Sequence, residues 1–469
     1  MQAERSRTKL IAPLDLCKTP GTAQRIASYM ATKTLQTIRN SAIALRGGMD
    51  DYDTLLEFIG NARFVLIGEA SHGTHEFYRR RAEITKRLIA EKGFQGVAAE
   101  ADWPDAYRVH RFVHARGPDA NANEALGEFR RFPAWMWRNA DVLDFVGWLR
   151  DHNDNLEKDK RKAGFFGLDL YSLHASMQAV LVYLDKVDPD AAQRARYRYS
   201  CFEHIGDDPQ SYGYAASFDL ESSCENEVVA QLVEMRRRAA DLATRDGKVE
   251  PDEFWAAEQN ARVVKNAEQY YRSMFQGRIS SWNLRDTHMM ETLESIAQHL
   301  GPESKLVVWA HNSHLGDARA TQMGEQGELN VGQLVRQSYA NQAVFIGFST
   351  YHGTVTAASD WGGDAERKNV RPGLPKSYEE LFHETDIKEF LLLLRNNPGL
   401  KSALGERLER AIGVIYAPHS ERVSHYFHAC IGEQFDAIIH IDSTRALEPL
   451  ERSSIWEEGE LPETFPYAV

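Results

Sequence analysis

The stretch Gly68-Glu69-Ala70-Ser71-His72-Gly73-Thr74-His75-Glu76 gathers two histidines, two glutamates and a serine. Gly68 and Gly73 permit a tight turn, so Glu69 and His72 can project toward one pocket. A histidine beside a carboxylate is oriented and made more basic, which suits it to take a proton from water or a hydroxyl. His75 and Glu76 fit a loop-holding role as well as a functional one. Further polar groups of the same kind are Glu100-Ala101-Asp102-Trp103, Asp169, His311-Asn312-Ser313-His314 and Asp442-Ser443-Thr444-Arg445. His311 and His314, three residues apart, can share one face of a turn. That spacing also allows a metal site with Glu69, Glu100 and His72, although the stronger HExxH pattern is absent. Arg81 shares a helical face with Phe77, Ile84 and Leu88. Its guanidinium therefore snorkels or points into a site, where it would steady an oxyanion or hold a carboxylate. By contrast, Glu76 with Arg80 and Glu83 with Arg87 read as i,i+4 pairs on a solvated face.

Each of those groups follows a short apolar, β-rich run. The runs are Arg63–Ile67, Gln95–Ala99, Gly164–Leu168, Leu306–Ala310 and Asp436–Ile441, with Ala343–Phe348 and Ile412–Tyr416 besides. Continuous apolar runs of this length suit strands covered on both faces, as in a parallel sheet with crossover helices. Ligands of such sheets bind beyond the carboxyl ends of the strands, where the Glu, His and Asp residues fall. The predicted fold class is α/β, a mainly parallel sheet flanked by helices with a large helical insertion. Residues 1–60 read as an N-terminal helical segment, 61–171 and 301–469 as the α/β core, and 172–300 as a helical insertion or cap. Trp361–Pro375 reads as a surface loop. Trp103, Trp135, Trp137, Trp282, Trp309 and Tyr171 are candidates for core or for a pocket taking a bulky apolar ligand. The remaining single histidines, His425 among them, read as surface or core residues.

The chain has 469 residues, with 55 Lys+Arg against 68 Asp+Glu, a formal net charge of −13. That balance argues against nucleic acid or an anionic membrane as the main partner. It points instead toward a cationic small molecule. No apolar run approaches the ~20 residues of a membrane span, and the start MQAERSRTKL lacks the apolar core of a secretory signal. The 4 cysteines stand far apart without a CxxC pair, which fits a reducing, cytoplasmic setting. There is no GxGxxG, no GxxxxGK[ST] and no GxSxG; Gly68 to Gly73 reads GxxSxG, with Ser71 one place off the nucleophile spacing.

In order along the chain, FVLIGEASHGTHEFYRRRAEITKRL, GVAAEADWPDAY, FPAWMWRNADVLDFVGWLRDHN, GFFGLDLYSL, RDTHMMETL, VVWAHNSHLGDAR and FDAIIHIDSTRAL together resemble the erythromycin esterases and their relatives. The resemblance implies an α/β fold with a helical insertion and a cleft rich in His and Glu. It implies that the histidine of the glycine-bounded loop, His72 here, activates water for attack on a lactone ester. By motif position it also implies roles for Glu69, Arg81, Glu100, His311 and His314, with no metal and no other cofactor. One departure is that Met290 and Thr292 stand where relatives often have Ala and Asn in RDxxMAxN, so the substrate-facing side of that helix is expected to differ.

The expected activity is hydrolysis of a carboxylic ester, a macrolide lactone being the case the resemblance suggests. His72, aided by Glu69, would deprotonate water with no covalent intermediate. Arg81, His311 or His314 would steady the oxyanion or protonate the leaving group, with Glu100 holding one of them. A macrolide's amino-sugar cation and large ring would suit an acidic, aromatic-lined cleft. Two alternatives stay open: a Ser71- or metal-dependent hydrolase of another small ester, and a relative that binds a ligand without turning it over.

Overall fold

The computed structural model describes residues 32–459, apart from 159, 206–208, 219–222, 240, 243–251 and 276. Cys17, the start MQAERSRTKL and most of the expected N-terminal segment lie outside the described residues. Within that segment, residues 32–41 are helical, and a two-residue strand follows that the helical reading had not included.

The strands are β1 (Ile43–Ala44), β2 (Phe64–Ile67), β3 (Gly96–Asp102), β4 (Gly164–Asp169), β5 (Leu306–Trp309) and β6 (Ala343–Ala357). After them come β7 (Glu366–Val370), β8 (Glu389–Leu393), the separate hairpin of β9 (Arg407–Arg410) with β10 (Tyr426–Ala429), and β11 (Ala437–Thr444). The large sheet has the order β1-β8-β11-β6-β2-β5-β3-β4, with β7 paired to the far end of β6. From β11 to β4 every pairing is parallel; β8 and β7 are the reversed strands, pairing antiparallel with β11 and β6, and β1 pairs antiparallel with β8. The register sets Leu66 beside Val308 and Phe345.

These strands have no polar residue to spare because both faces are covered. Val65 and Ile67 enter one core with Leu88, Val109 and Phe145 from the helices His75–Lys92, Trp103–Val113 and Ala140–Asp154. Phe64 and Leu66 enter the other, against Met289, Leu293 and Ile296 of helix Arg278–Leu300. Each such side chain is worth about 1.5–3 kcal/mol when fully buried. A charged residue can therefore stand only where a strand runs out.

Among the described residues, Leu173 to Leu300 contains helices and no strand. The helices from Leu173–Val187 through Glu253–Ser273 share a core of their own, built on Val180, Leu184, Ala195 and Val264. Helix Arg278–Leu300 instead packs on the sheet, so the last helix of the expected insertion belongs with the strand core. Two helical segments also bring Cys201 and Cys224 together as a disulfide, which their spacing had not suggested.

Three local readings need correction. Ile412–Tyr416 forms only isolated bridges, Ile412 with Ser71 and Ile415 with Ala358. The stretch Trp361–Pro375 holds β7 rather than loop alone. Glu76 pairs with Arg445, and Arg80 with Glu389 and Glu83, so Glu76–Arg80 is not an ion pair and Arg80 is buried.

Candidate active site

The carboxyl ends of β2, β5, β3 and β4 are neighbours in the sheet, and they open on a cleft of about 620 Å³. His72, Glu100, Asp169, His311 and His314 all line it. Glycines shape this end by admitting close backbone approach, not by left-handed turns. A side chain on Gly73 would collide with the Thr356 carbonyl oxygen, 1.8 Å from where its Cβ would lie. Gly73 is pinned there because its carbonyl accepts hydrogen bonds from Thr356 N–H at 2.9 Å and Leu447 N–H at 2.8 Å. In β4, Gly167 lets β3 lose its regular register between Ala99 and Asp102, and that irregularity carries Glu100.

Glu69 and His72 do meet. His72 Nδ1 lies 2.8 Å from Glu69 Oε1, which fixes the ring and leaves Nε2 for the cleft. The other oxygen, Oε2, is 3.0 Å from Arg81 Nη1. Both Glu69 and Arg81 are 1% exposed, and the guanidinium sits between the rings of Tyr78 and Trp309, 4.5 and 4.7 Å from their centres. Arg81 therefore stands behind Glu69 and does not line the cleft. Ser71 does not line it either, and its hydroxyl is hydrogen-bonded to that of Thr74 rather than to a histidine.

Across from His72 stands His311, ring centres 4.9 Å apart. Its backbone N–H donates to Glu100 Oε2 at 2.9 Å, and its Nδ1 accepts from Ser313 N–H at 3.2 Å. Nδ1 is thus the unprotonated nitrogen, and the proton belongs on Nε2, a buried atom without a partner. Burial pushes the His311 pKa down to about 3, so the ring is neutral.

His314 is its opposite. Burial works against a charged ring, but the Asp286 and Glu100 carboxylates outweigh it and raise the pKa to about 9. Nδ1 is 3.0 Å from both Asp286 oxygens, Nε2 is 3.3 Å from Glu100 Oε1, and the ring stacks on Trp282. Burial raises Asp286 as well, yet the proton sits on His314, because Asp286 Oδ1 also accepts Val331 N–H at 3.0 Å. Arg285 closes the group. It donates to Glu100 Oε1 at 2.7 Å and to Asp169 Oδ2 at 2.6 Å, and lies over Tyr171. Burial disfavours the Glu100 and Asp169 charges, but His314 and Arg285 hold Glu100 well below the usual carboxylate range, and Arg285 lowers Asp169. Three carboxylates thus face Arg285 and His314 and favour the imidazolium, while Arg285 Nη1, 3.0 Å from His314 Nε2, opposes it.

Arg285 and Asp286 come from helix Arg278–Leu300, which also carries Trp282, and neither is among the site residues expected from the sequence. The available signal was a buried Arg-Asp pair one turn beyond a tryptophan. On that helix the departures at Met290 and Thr292 do not face the substrate side: Met290 packs into the core and Thr292 hydrogen-bonds the His288 carbonyl. Of the proposed aromatics, Trp137, Trp282 and Tyr171 line the cleft, as does Trp361, while Trp103, Trp135 and Trp309 lie in the interior. His425 lines it too, accepting from Ala417 N–H at 3.0 Å. His75, Glu76 and Asp442 lie elsewhere: His75 bonds Asp141, Glu76 accepts from Arg445 N–H, and Asp442 pairs with His383 and Lys388. Among the described residues no three His, Cys, Asp or Glu side chains are grouped to hold a metal ion.

The family model for erythromycin esterase matches residues 89–444, most of the chain and all of the cleft except the β2 loop. The chain belongs to the erythromycin esterase family. Erythromycin esterase type II of Escherichia coli is 22% identical over 415 residues, covering 85% of this chain and 94% of that protein. Among solved structures, a succinoglycan biosynthesis protein aligns with a TM-score of 0.72 at 22% identity, over 89% of this chain and 98% of that one. An erythromycin esterase mutant in its open conformation aligns at 0.61 and 18% identity, over 85% and 94%. These two likenesses establish the shared fold. Family membership supports ester hydrolysis of a small molecule. Among the described residues no helix is long and apolar enough to cross a membrane.

Proposed function

We propose that the chain hydrolyses a carboxylic ester through a water that His72 deprotonates, and that a macrolide lactone is the first substrate to test. The observation that carries this reading is one cleft holding a carboxylate-oriented His72, a neutral His311 and a protonated His314. Pairs of titratable groups pushed apart in pKa mark acid and base assignments. Glu69 holds His72 with Nε2 toward the cleft, and Arg81 holds Glu69 from behind, a positioning role rather than contact with an oxyanion.

Water oxygen attacks the ester carbonyl carbon as its proton passes to His72 Nε2. The tetrahedral oxyanion is met by the Nε2–H of His311, which lines the cleft, and by the positive charge of His314. When the C–O bond breaks, His314 protonates the leaving alkoxide, and Glu100, shared by His314 and Arg285, keeps that proton at the cleft. The products are a carboxylic acid and an alcohol. His72 returns its proton to solvent, His314 takes one back from solvent, and no covalent enzyme intermediate forms.

The partner is thus a small-molecule ester, and the cytoplasm is the proposed compartment, where the Cys201–Cys224 disulfide described above would be reduced to thiols. Alkylation of the cysteines in intact cells followed by mass spectrometry tests that placement; a disulfide in freshly trapped protein would refute it. If a macrolide is the substrate, the chain would act in antibiotic resistance. The deciding experiment incubates macrolides, simple lactones and esters with the protein and looks by mass spectrometry for a gain of one water. Turnover by the parent chain and none by His72→Ala is expected. A His72→Ala protein that hydrolyses as fast as the parent would sink the mechanism.

A further inference from the structure

The cleft wall carries one carboxyl that is taken up neither by the hydrolytic machinery nor by a basic side chain. Asp105 sits in the first turn of helix Trp103–Val113 and lines the cleft. The other cleft carboxylates have basic partners: Glu100 and Asp169 share Arg285, Asp102 takes Arg131 Nε at 2.8 Å, and Glu328 pairs with Arg278. Asp105 makes no hydrogen bond or ion pair among the described residues.

The charges that face it are accounted for as well. Arg131 is committed to Asp102, and Arg108 lies 2.6 Å from both Asp119 and Glu128. Asp102 and Glu128 add negative charge beside it. Asp102 is itself short of donors: its side chain is 6% exposed, and Oδ1 is buried with no partner. Burial, followed by the charge of Asp102, pushes the Asp105 carboxyl up to about 8, so at neutral pH it carries a proton that a cation could replace. Phe129, Trp137 and Tyr171 line the same cavity, and the Tyr171 ring already has Arg131 at 4.7 Å and Arg285 at 4.9 Å from its centre. Ring faces accept alkylammonium groups in the same way.

We propose that Asp105 is a specificity-determining residue of the cleft and receives the ammonium group of a cationic ester, with Asp102 as the second carboxylate and the aromatic wall against its alkyl groups. This rests on the reading of the cleft as an ester-hydrolysing site. The ammonium takes the place of the Asp105 proton, which leaves to solvent, so charge balances on binding. Chemistry occurs at the His72 end, and Asp105 sets which esters are held there.

The test uses the full chain and a probe that cannot be hydrolysed, benzyltrimethylammonium, whose charge does not vary with pH. Calorimetry in buffers of different ionisation enthalpy is expected to show proton release on binding, with affinity strengthening as the pH rises from 6 toward 8. Asp105→Asn should weaken binding roughly 10-fold, the scale of one partly buried ion pair, and abolish the proton release, while Asp105→Glu should restore part of both. A second measurement compares 2-(dimethylamino)ethyl and 3-methylbutyl esters of one acid, a cation and its carbon isostere. The ratio of their kcat/KM values should fall by a similar factor in Asp105→Asn. Equal affinity of parent and Asp105→Asn for the probe overturns the proposal. So does an unchanged ester ratio with kcat lowered for both, which would make Asp105 a proton donor. Probe binding as expected without turnover of either ester would leave the cation site standing and remove the esterase reading.

Discussion

Asp286→Asn isolates the charge that keeps His314 protonated. The asparagine has the same shape and its oxygen can still accept from His314 Nδ1 and Val331 N–H, so the change removes charge and little else. His314 stands at about 9 against about 6.5 for a free imidazole. Burial opposes that rise, so the attraction from the two carboxylates exceeds it, and Asp286 supplies the larger share. Losing more than half of a gain that is itself larger than that rise should lower the His314 pKa to about 8 or below. If His314 is the acid that protonates the leaving group, the rate declines as the pH rises through its pKa. The alkaline limb of kcat should then move from about 9 to about 8 or below in the variant, with the acid limb in place. The assay is ester hydrolysis by titrant-free mass spectrometry across pH 5 to 10, alongside NMR titration of ¹³C-labelled histidine. A limb that stays where it was while the NMR pKa falls would show that His314 is not the acid. An NMR pKa that stays near 9 would refute the electrostatic reasoning itself.

Three further outcomes are expected. Glu69→Gln should lower kcat by roughly 10²- to 10⁴-fold with a much smaller change in KM, because the His72 tautomer and orientation are lost. Arg81→Met leaves the buried Glu69 charge unpaired and should destabilise the fold by about 3–5 kcal/mol in urea denaturation. Pairing it with Glu69→Gln should recover much of that stability and none of the activity; a double variant no more stable than Arg81→Met would contradict the ion-pair account. His311 and His288, both lowered to about 3, bind fewer protons folded than unfolded as the pH falls below about 6.5, so stability should drop over that window. The raised His314 works the other way, its contribution being full below about 6.5 and lost as the pH rises through about 9. Urea midpoints at pH 4 and 7 measure this, and His311→Asn should flatten the acid-side slope.

Much of the site was legible because a strand buried on both faces can place a charge only at its end. That single constraint located Glu69, Glu100, Asp169, His311 and His314 from runs such as FVLI and LVVW. Arg285 and Asp286 were not legible in the same way. They lie in mid-helix, where the pattern of polar and apolar residues does not reveal which polar face is turned inward until the partner surface is known. Ile412–Tyr416 failed as a strand for a related reason. Its apolar residues are held by loop neighbours, Ser71 and Ala358, rather than by a ladder. Arg81 was legible as buried but not in direction, since helical spacing gives a face and not the neighbour behind it.

The charged cluster around Arg285 joins positions far apart along the chain: 185 residues separate it from Glu100 and 116 from Asp169. Contacts of such long range form late, after the loop-closure entropy of the intervening helices has been overcome. Until helix Arg278–Leu300 docks on the sheet, Glu100 and Asp169 lack their cation, and His314 lacks the carboxylate that keeps it charged. If the proposed mechanism holds, a chain with its strands in place but that helix still loose would carry His72, Glu100 and His311 and yet lack the charged cluster that sets up the leaving-group acid. Activity would then read out completed folding, with partly assembled molecules contributing none of it.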